Sequence, residues 1–132
     1  MSCLGAVMIV KNEAEVLAGC LASVRAIADE IVVGDTGSTD ETVSIARGFG
    51  ARVIEVPWTG DFAAARNCVL RAATGNWLLH LDADEALDEA NANHIRAVVD
   101  ADGGGADAIE VTLANYCDDP RAWRWVPATP GD

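Results

Sequence analysis

Continuous apolar runs alternate along this chain with segments in which apolar residues recur at three- and four-residue spacing. The run "LGAVMIV", residues 4–10, is typical of a strand that is buried on both faces of a parallel sheet. In the next segment the spacing is that of one helix face, and the apolar residues are Val16, Leu17, Cys20, Leu21 and Val24. The same criteria predict strands over 30–35, 51–57 and 76–82 and helices over 12–28, 62–74 and 88–101.

Polar residues at the predicted helix ends support this assignment. Ser38 and Glu41 fit the Ser-x-x-Glu capping box, so another helix is predicted there, with its end at Gly48 or Gly50. Asp61 has the residue type and position of an N-cap for the helix over 62–74. Each predicted helix therefore lies between two predicted strands.

The last third of the chain gives weaker signals. Residues 103–108 are predicted to form a loop, the alternation over 108–115 predicts a fifth and less buried strand, and the proline-rich stretch 118–132 is expected to be irregular. Strands that alternate with helices indicate an α/β fold with a mostly parallel sheet. Residues 1–132 are expected to form one domain, with a core at about 1–100 and the fifth strand and tail at 101–132.

Composition and charge narrow the class of protein. Hydrophobic residues make up 51% of the 132 residues, but none of the apolar runs has the length of about 18 residues that a membrane span requires. The net charge is −12 with Lys11 as the single lysine, which disfavours a nucleic-acid partner. The four cysteines form no Cys-x-x-Cys pair, so reduced thiols in a cytoplasmic protein are expected rather than a zinc site.

Three polar clusters directly follow predicted strands: Lys11 to Glu13, Asp35 to Asp40, and Asp82 to Glu85. Ligands of open α/β sheets bind outside the carboxyl ends of the strands, so these clusters are expected at one edge. "DTGSTD" taken alone is explained as well by a turn that starts a helix as by a ligand site. Like charges at 82–85 repel unless a cation lies between them. Because neither a GxGxxG nor a Walker A motif is present, a divalent cation held by Asp82 or Asp84 is the predicted means of binding phosphate.

Successive blocks of the chain resemble the inverting family 2 nucleotide-sugar glycosyltransferases of GT-A fold. The blocks, which cover roughly Leu4 to Asp88 in order, are "MIVKNEAEVLAGCLASV", "EIVVGDTGSTDET", "ARVIEVPW", "AAARNCVLRAATGNW" and "LLHLDADE". Within the family the similarity is greatest to the lipopolysaccharide-core β-glucosyltransferase type. The resemblance implies a Rossmann-like three-layer sandwich whose parallel strands have the order three, two, one, four. It also implies a UDP-sugar donor and a glycan or lipid-linked acceptor.

The resemblance further implies roles for individual residues. Asp35 and Arg66 would recognise the nucleotide base, with a carboxylate accepting from a uracil N–H and a guanidinium donating to a ring carbonyl. Backbone near Val10 would line the base pocket, and Asp82 would contact the ribose. Asp84 would hold Mn²⁺ or Mg²⁺ against the diphosphate. Glu85 is interpreted either as a group supporting these ligands or as an acid at a helix N-terminus.

The chain departs from the family in its second half. Family 2 enzymes carry the catalytic base and the acceptor site beyond the fifth strand, and no counterpart of that half is found before Asp132. Asp118 and Asp119 have a suitable residue type but come early, so the base is left unassigned and the fold is expected to be truncated. An uncovered sheet edge would favour a homodimer. The protein is expected to be cytoplasmic, and a peripheral position at the inner face of the membrane is compatible with that location.

Two alternatives stay open from the sequence. A nucleotide-sugar-binding module without transferase activity agrees with the missing second half. A haloacid-dehalogenase-like phosphatase would use Asp82 as nucleophile and Asp84 as general acid, but this class needs a later lysine, and no lysine follows Lys11. His80 is expected to be packed or half-buried and His94 to lie on a helix surface. Trp58 is equally compatible with a position at the substrate site and with one in the core. The alternation of Trp123 and Trp125 suggests a strand.

Overall fold

The computed structural model describes residues 3–101 and the backbone of 114–116 and 125–127. The strands are β1 (Leu4–Val10), β2 (Glu30–Asp35), β3 (Arg52–Glu55), β4 (Trp77–His80), β5 (Ala114–Tyr116) and β6 (Trp125–Pro127). The helices are α1 (Ala14–Arg25), α2 (Thr42–Gly48), α3 (Phe62–Ala72) and α4 (Glu89–Asp100). Within the described part of the chain, the helices are too short or too polar to cross a bilayer.

The first four strands form one parallel sheet in the order β3-β2-β1-β4, which confirms the α/β class and the predicted strand order. In the register of β1 with β2, Val10 lies opposite Asp35. The other neighbour of β1 is β4, where Leu4 lies opposite Trp77. The carboxyl ends of all four strands therefore meet at one edge, as required for the three polar clusters to converge.

Helices cover both faces of the sheet and make a three-layer sandwich. The even-numbered residues of β1 pack beneath α1, α2 and α4, and the odd-numbered ones pack beneath α3. Val7 and Met8 are both fully buried, on opposite faces. Burial on two faces explains why β1 has a continuous apolar sequence rather than an alternating one.

The short strands β5 and β6 pair antiparallel in a second sheet, with Tyr116 opposite Trp125. The predicted fifth strand over 108–115 overlaps β5 at residues 114–115, and its remainder lies outside the described residues. The expectation of an irregular tail over 118–132 is wrong at 125–127, because β6 forms there. The predicted loop over 103–108 lies outside the described residues.

Several element boundaries differ from the predicted ones. The helix predicted over 12–28 begins at Ala14 because Asn12 has a left-handed backbone, with φ of 53°, that cannot continue a helix. It ends at Arg25, and a turn bonded to the Val24 carbonyl follows. The third and fourth strands are shorter than predicted, at 52–55 and 77–80.

The predicted caps had mixed outcomes. Asp61 is the N-cap of α3, and its Oδ1 accepts from the backbone N–H of Ala63 at 2.9 Å and of Ala64 at 3.3 Å, which confirms the prediction. The capping box at Ser38 and Glu41 is wrong. The helix there begins at Thr42, with Glu41 as an N-cap that makes no side-chain capping bond.

Arg96 connects helix α4 to the loop after α1 and to the sheet. Its Nη1 donates to the Ile27 carbonyl at 2.9 Å and to Asp29 Oδ2 at 2.7 Å, and its Nη2 donates to Asp100 Oδ1 at 2.8 Å. Asp29 Oδ2 also accepts from the N–H of Leu4 at 2.8 Å. One guanidinium thus joins α4 to the loop after α1 and, through Asp29, to the start of β1.

Candidate functional site

The loops that follow β1 and β2 are bonded to each other at the carboxyl edge of the sheet. The N–H of Asn12 donates to Ser38 Oγ at 2.9 Å, and Asn12 Oδ1 accepts from the N–H of Thr39 at 2.7 Å. The left-handed backbone of Asn12 is a sparsely populated conformation for a residue with a side chain. The hydrogen bonds to Ser38 and Thr39 stabilise this conformation, so two of the predicted clusters form one hydrogen-bonded unit.

The same two loops cap helix α1. Asp40 Oδ2 accepts from the N–H of Ala14 at 3.3 Å, and Thr42 Oγ1 accepts from the N–H of Glu13 at 2.9 Å. Asp40 Oδ1 also accepts from the Thr42 hydroxyl and from the Thr42 N–H. These bonds, led by the one from the hydroxyl, lower the pKa of Asp40 below its ordinary value. The N–H groups at the start of α1, which have no partner within the helix, are therefore hydrogen-bonded by side chains of a neighbouring loop rather than by the N-cap residue of α1.

Asp35 ends β2 as a buried carboxylate, 9% exposed. Its Oδ2 accepts from the N–H of Gly37 at 3.3 Å, and both of its oxygens accept from the N–H of Ser38, at 3.2 and 3.3 Å. Gly37 has φ of 122°, which favours glycine at that position in the turn. The predicted base-binding residue thus also shapes the loop in which it lies.

Val10 is buried opposite Asp35, and its carbonyl accepts from the backbone N–H and the hydroxyl of Thr36, at 3.0 and 3.1 Å. The carbonyl is therefore already engaged by the loop after β2. The side chain of Val10 is only 2% exposed, so its lining of the base pocket stays a prediction.

Arg66 lies on α3, on the opposite face of the sheet from α1. Helix α3 approaches β2 closely because Gly34 has no side chain: a Cβ there would lie 2.5 Å from Cγ1 of Val69. Arg66 is exposed, and its positive charge acts on His80 at the end of β4. Partial desolvation, followed by the Arg66 charge, lowers the pKa of His80, while Asp82 opposes the shift. Arg66 is therefore within electrostatic range of the strand that leads to the carboxylate cluster.

The segment after β4 alternates between the core and solvent. Leu81 and Ala83 are buried, at 2% and 4% exposed, whereas Asp82 and Asp84 are exposed. The N–H of Leu81 donates to the carbonyl of Val7 at 3.2 Å, which continues the contact with β1. Two apolar anchors thus place both aspartates on the solvent side of one tight turn.

A thiol lies beneath this turn. Cys20 of α1 is 1% exposed, and its Sγ donates to the Asp82 carbonyl at 3.5 Å. Burial, followed by the negative charges of Glu85, Asp84 and Asp82, raises the pKa of Cys20 from 9.0 to about 12. The raised pKa keeps the thiol neutral at ordinary pH.

The carboxylate pair fits a hard divalent cation only in part. Asp82 and Asp84 supply oxygen ligands of the type that Mg²⁺ and Mn²⁺ prefer. Throughout residues 3–101, however, no group of three or more histidine, cysteine or acidic side chains is arranged to hold a metal ion. A cation at this turn would need further ligands from a bound molecule or water, as Mg²⁺ bound beside a phosphate does.

The structure brings most of the sequence-predicted residues to this edge. Val10 and Asp35 lie side by side, and Asp82 and Asp84 share one turn. The contribution of Cys20 was missed, because an apolar position on a helix face gives no sign of a contact 62 residues away. The candidate acids Asp118 and Asp119 lie outside the described residues.

Three further expectations were tested. His80 is exposed by its surface area on the edge strand β4, so the expectation of a packed histidine is wrong, whereas its partial desolvation agrees with the half-buried alternative. His94 is exposed on α4, as predicted. Trp58 is 42% exposed and meets Phe62 edge to face, with ring centroids 4.8 Å apart, so the core position considered for Trp58 is wrong. The side chains of Trp123 and Trp125 lie outside the described part.

Comparison with known proteins identifies the family. The family model described as Glycosyl transferase family 2 matches residues 6–129. A TPR repeat-containing protein of Synechococcus elongatus is 55% identical over 80 residues, which are 61% of this chain and 20% of that protein. An uncharacterized glycosyltransferase of Rickettsia felis is 40% identical over 89 residues, 67% of this chain and 31% of that protein. The chain thus spans about a fifth to a third of these relatives.

Solved structures with the same architecture include glucosyl-3-phosphoglycerate synthase of Mycobacterium tuberculosis in complex with UDP. It is 27% identical with a TM-score of 0.57, and the match covers 64% of this chain and 34% of that chain. The same synthase in complex with Mn²⁺, UDP-glucose and phosphoglyceric acid is 25% identical, also with a TM-score of 0.57, over 64% and 35% of the two chains. TarS of S. aureus has a TM-score of 0.66 over 83% of this chain and 38% of that chain at 18% identity, which supports the fold alone.

Proposed function

This chain belongs to glycosyl transferase family 2, and we propose that it binds a UDP-sugar with Mn²⁺ or Mg²⁺ as the donor-binding part of a glycosyltransferase. The observation that carries the proposal is the convergence of Asp35, Asp82 and Asp84 at the carboxyl edge of one parallel sheet. The UDP and Mn²⁺ complexes of the mycobacterial synthase support the donor and the cation. The family match leaves the phosphatase alternative without support.

Base recognition is assigned to Asp35 and Arg66. An ionised carboxylate has about four acceptor sites, and the two backbone N–H groups in the turn of Asp35 leave capacity for a uracil N–H. Arg66 can donate to a carbonyl of the base from α3. Asp82 would accept from a ribose hydroxyl, and the chain at Val10 would line the pocket.

The cation is assigned to Asp84. Its carboxylate is exposed, and among residues 3–101 no hydrogen bond or ion pair occupies it. A divalent cation bound there would neutralise negative charge on the diphosphate leaving group. The side chains of the turn would hold the donor in place, and the diphosphate and water would supply the remaining ligands of the cation.

The proposed reaction is transfer of a hexose to a hydroxyl of a glycan or lipopolysaccharide acceptor with inversion at the anomeric carbon. Attack from the face opposite the diphosphate requires a general base on the acceptor side. That base stays unassigned. We further propose a cytoplasmic location, at the inner membrane face where the acceptor is lipid-linked, and the homodimer stays a prediction.

Calorimetric titration of UDP with and without Mn²⁺ tests the donor site. Asp84→Asn should remove the Mn²⁺ dependence of UDP binding, because a neutral amide is a poorer ligand for a hard cation. Asp82→Asn should weaken UDP binding but keep that dependence. Glu89→Gln, an exposed acid in the first turn of α4, is the matched control and should behave as wild type. An Asp84→Asn protein that binds UDP tightly and still requires Mn²⁺ would contradict the assignment.

The base pocket and the reaction are tested with the same titration. Asp35→Asn and Arg66→Ala should each weaken UDP binding by about 1–3 kcal/mol, as loss of a charged hydrogen-bonding partner does. Unchanged affinity in both variants would place the nucleotide elsewhere. UDP-sugar hydrolysis and transfer are then measured beside binding, and UDP binding without turnover would favour the nucleotide-sugar-binding module over the transferase.

A further inference from the structure

The turn that carries Asp82 and Asp84 is closed by Glu85 through two hydrogen bonds. Glu85 Oε1 accepts from the N–H of Asp82 at 2.8 Å, and the N–H of Glu85 donates to the Asp82 carbonyl at 2.9 Å. The thiol of Cys20 donates to the same carbonyl at 3.5 Å. The backbone N–H of Asp82 therefore makes one hydrogen bond, and its carbonyl accepts two.

This pattern separates Glu85 from the two aspartates before it. Asp82 and Asp84 are exposed, whereas Glu85 is half-buried and directs one carboxylate oxygen to the backbone of its own turn. Glu85 also lies three residues before Asp88, the N-cap of α4 whose Oδ1 accepts from the N–H of Asn91. The interpretation of Glu85 as an acid at the start of a helix is therefore wrong.

We infer that Glu85 is a positioning residue that fixes the backbone of the turn so that Asp82 and Asp84 share one face. The inference rests on the proposed function, since it is for a nucleotide and a cation that the two carboxylates are positioned. The role requires an acceptor oxygen at the end of the side chain and does not require its negative charge. Glutamine has that oxygen, and alanine does not.

A ligand role for Glu85 makes the opposite prediction. A carboxylate that binds a cation directly loses most of its effect when it is changed to the amide, because the charge is what holds a hard cation. Glu85→Gln and Glu85→Ala should then be equally defective. The comparison of these two variants therefore distinguishes a group that holds the turn from a group that holds the metal.

The experiment titrates UDP into wild type, Glu85→Gln and Glu85→Ala in the presence of Mn²⁺, with Glu89→Gln as the control. Glu85→Ala should bind on the order of 10- to 100-fold more weakly, as is typical when a residue that orients metal ligands is removed. Glu85→Gln should stay within about threefold of wild type, because the bond to Asp82 can still form. An equal loss in both variants, or no loss in Glu85→Ala, would overturn the inference.

A second measurement needs no ligand. Hydrogen exchange of the Asp82 amide, followed by NMR, should be slow in wild type and in Glu85→Gln, and roughly tenfold faster in Glu85→Ala if one hydrogen bond protects it. Unchanged exchange in Glu85→Ala, or fast exchange in wild type, would overturn the inference. If wild type exchanges slowly but does not bind Mn²⁺ and UDP, the proposed function fails, while the exchange data still decide whether Glu85 holds the turn. Thermal unfolding of each variant by circular dichroism verifies that it is folded.

Discussion

Gly34 determines how closely α3, the helix that carries Arg66, approaches the sheet. A Cβ at this position would lie 2.5 Å from Cγ1 of Val69 and 3.0 Å from Cγ2 of Val56, and both valines are buried, at 0% and 3% exposed. Protein interiors are close-packed, so Gly34→Ala must displace α3 or force Val69 out of its rotamer. We expect the free energy of unfolding to fall by about 1–3 kcal/mol, the usual effect of overpacking a core.

Urea unfolding monitored by circular dichroism, combined with a double-mutant cycle, tests this reasoning. Val69→Ala alone should cost about 2 kcal/mol, since it removes two buried methyl groups and leaves a small cavity. The double variant should lose at least about 1 kcal/mol less than the sum of the two, because the alanine at 69 makes room for the new methyl group. Gly19→Ala is the control: no atom lies within 4 Å of its Cβ position.

Gly19 lies in α1 and is exposed, so alanine there should raise stability by about 0.4–1 kcal/mol through helix propensity. Additive losses in the double variant would show that contact with Val69 is not what excludes a side chain at Gly34. Because Arg66 lies one turn before Val69 on α3, displacement of the helix should also weaken UDP binding by Gly34→Ala. The double variant should recover part of that affinity.

Three further predictions concern ionisable groups. Arg96→Met should lower stability, because it removes the bond from a charged donor to the Ile27 carbonyl together with both ion pairs. Asp100→Asn loses only an exposed i,i+4 pair and should lower stability much less, so equal losses in urea unfolding would contradict this. The hydrogen bond from Arg96 lowers the pKa of Asp29 in the folded protein. The stabilisation that this bond gives is present above the pKa of the carboxyl group in the unfolded chain and is lost as pH falls through the pKa in the folded protein. Arg96→Met should therefore make the loss of stability in acid less steep. The pKa of Cys20 is raised from 9.0 to about 12, so the free energy of unfolding should fall as pH rises across that interval, by at most about 1.4 kcal/mol per pH unit. A Cys20→Ala protein with the same slope would show that Cys20 is not the group responsible.

The regular elements could be predicted because their causes are local. The apolar run of β1 and the helical spacing in α1 each report burial on faces that the backbone geometry defines. Asp61 was recognisable as a cap because it bonds N–H groups two and three residues further along the chain. The strand order came from the resemblance to a family, since hydrophobic periodicity alone does not specify which strands are neighbours.

The contacts between loops could not be predicted, because their partners are distant in sequence. Ser38 was assigned to a capping box, but its hydroxyl accepts from Asn12, 26 residues earlier. Helix α2 instead begins where Asp40 accepts from the N–H of Thr42. The local signal was compatible with both arrangements, and the tertiary contact decided between them.

These loop contacts also change which residues at the sheet edge are available to a ligand. Asn12, Ser38, Thr39 and Asp40 bond to one another or to the start of α1, so their polarity is explained without a ligand. The two exposed aspartates of the turn after β4 lack such an explanation. A diphosphate that approached them would be repelled unless a cation lay between the two groups of negative charge. In the proposed function, nucleotide and cation should therefore each bind weakly alone and tightly together: the nucleotide alone is repelled by the two carboxylates, and the cation alone lacks the ligands that the diphosphate supplies.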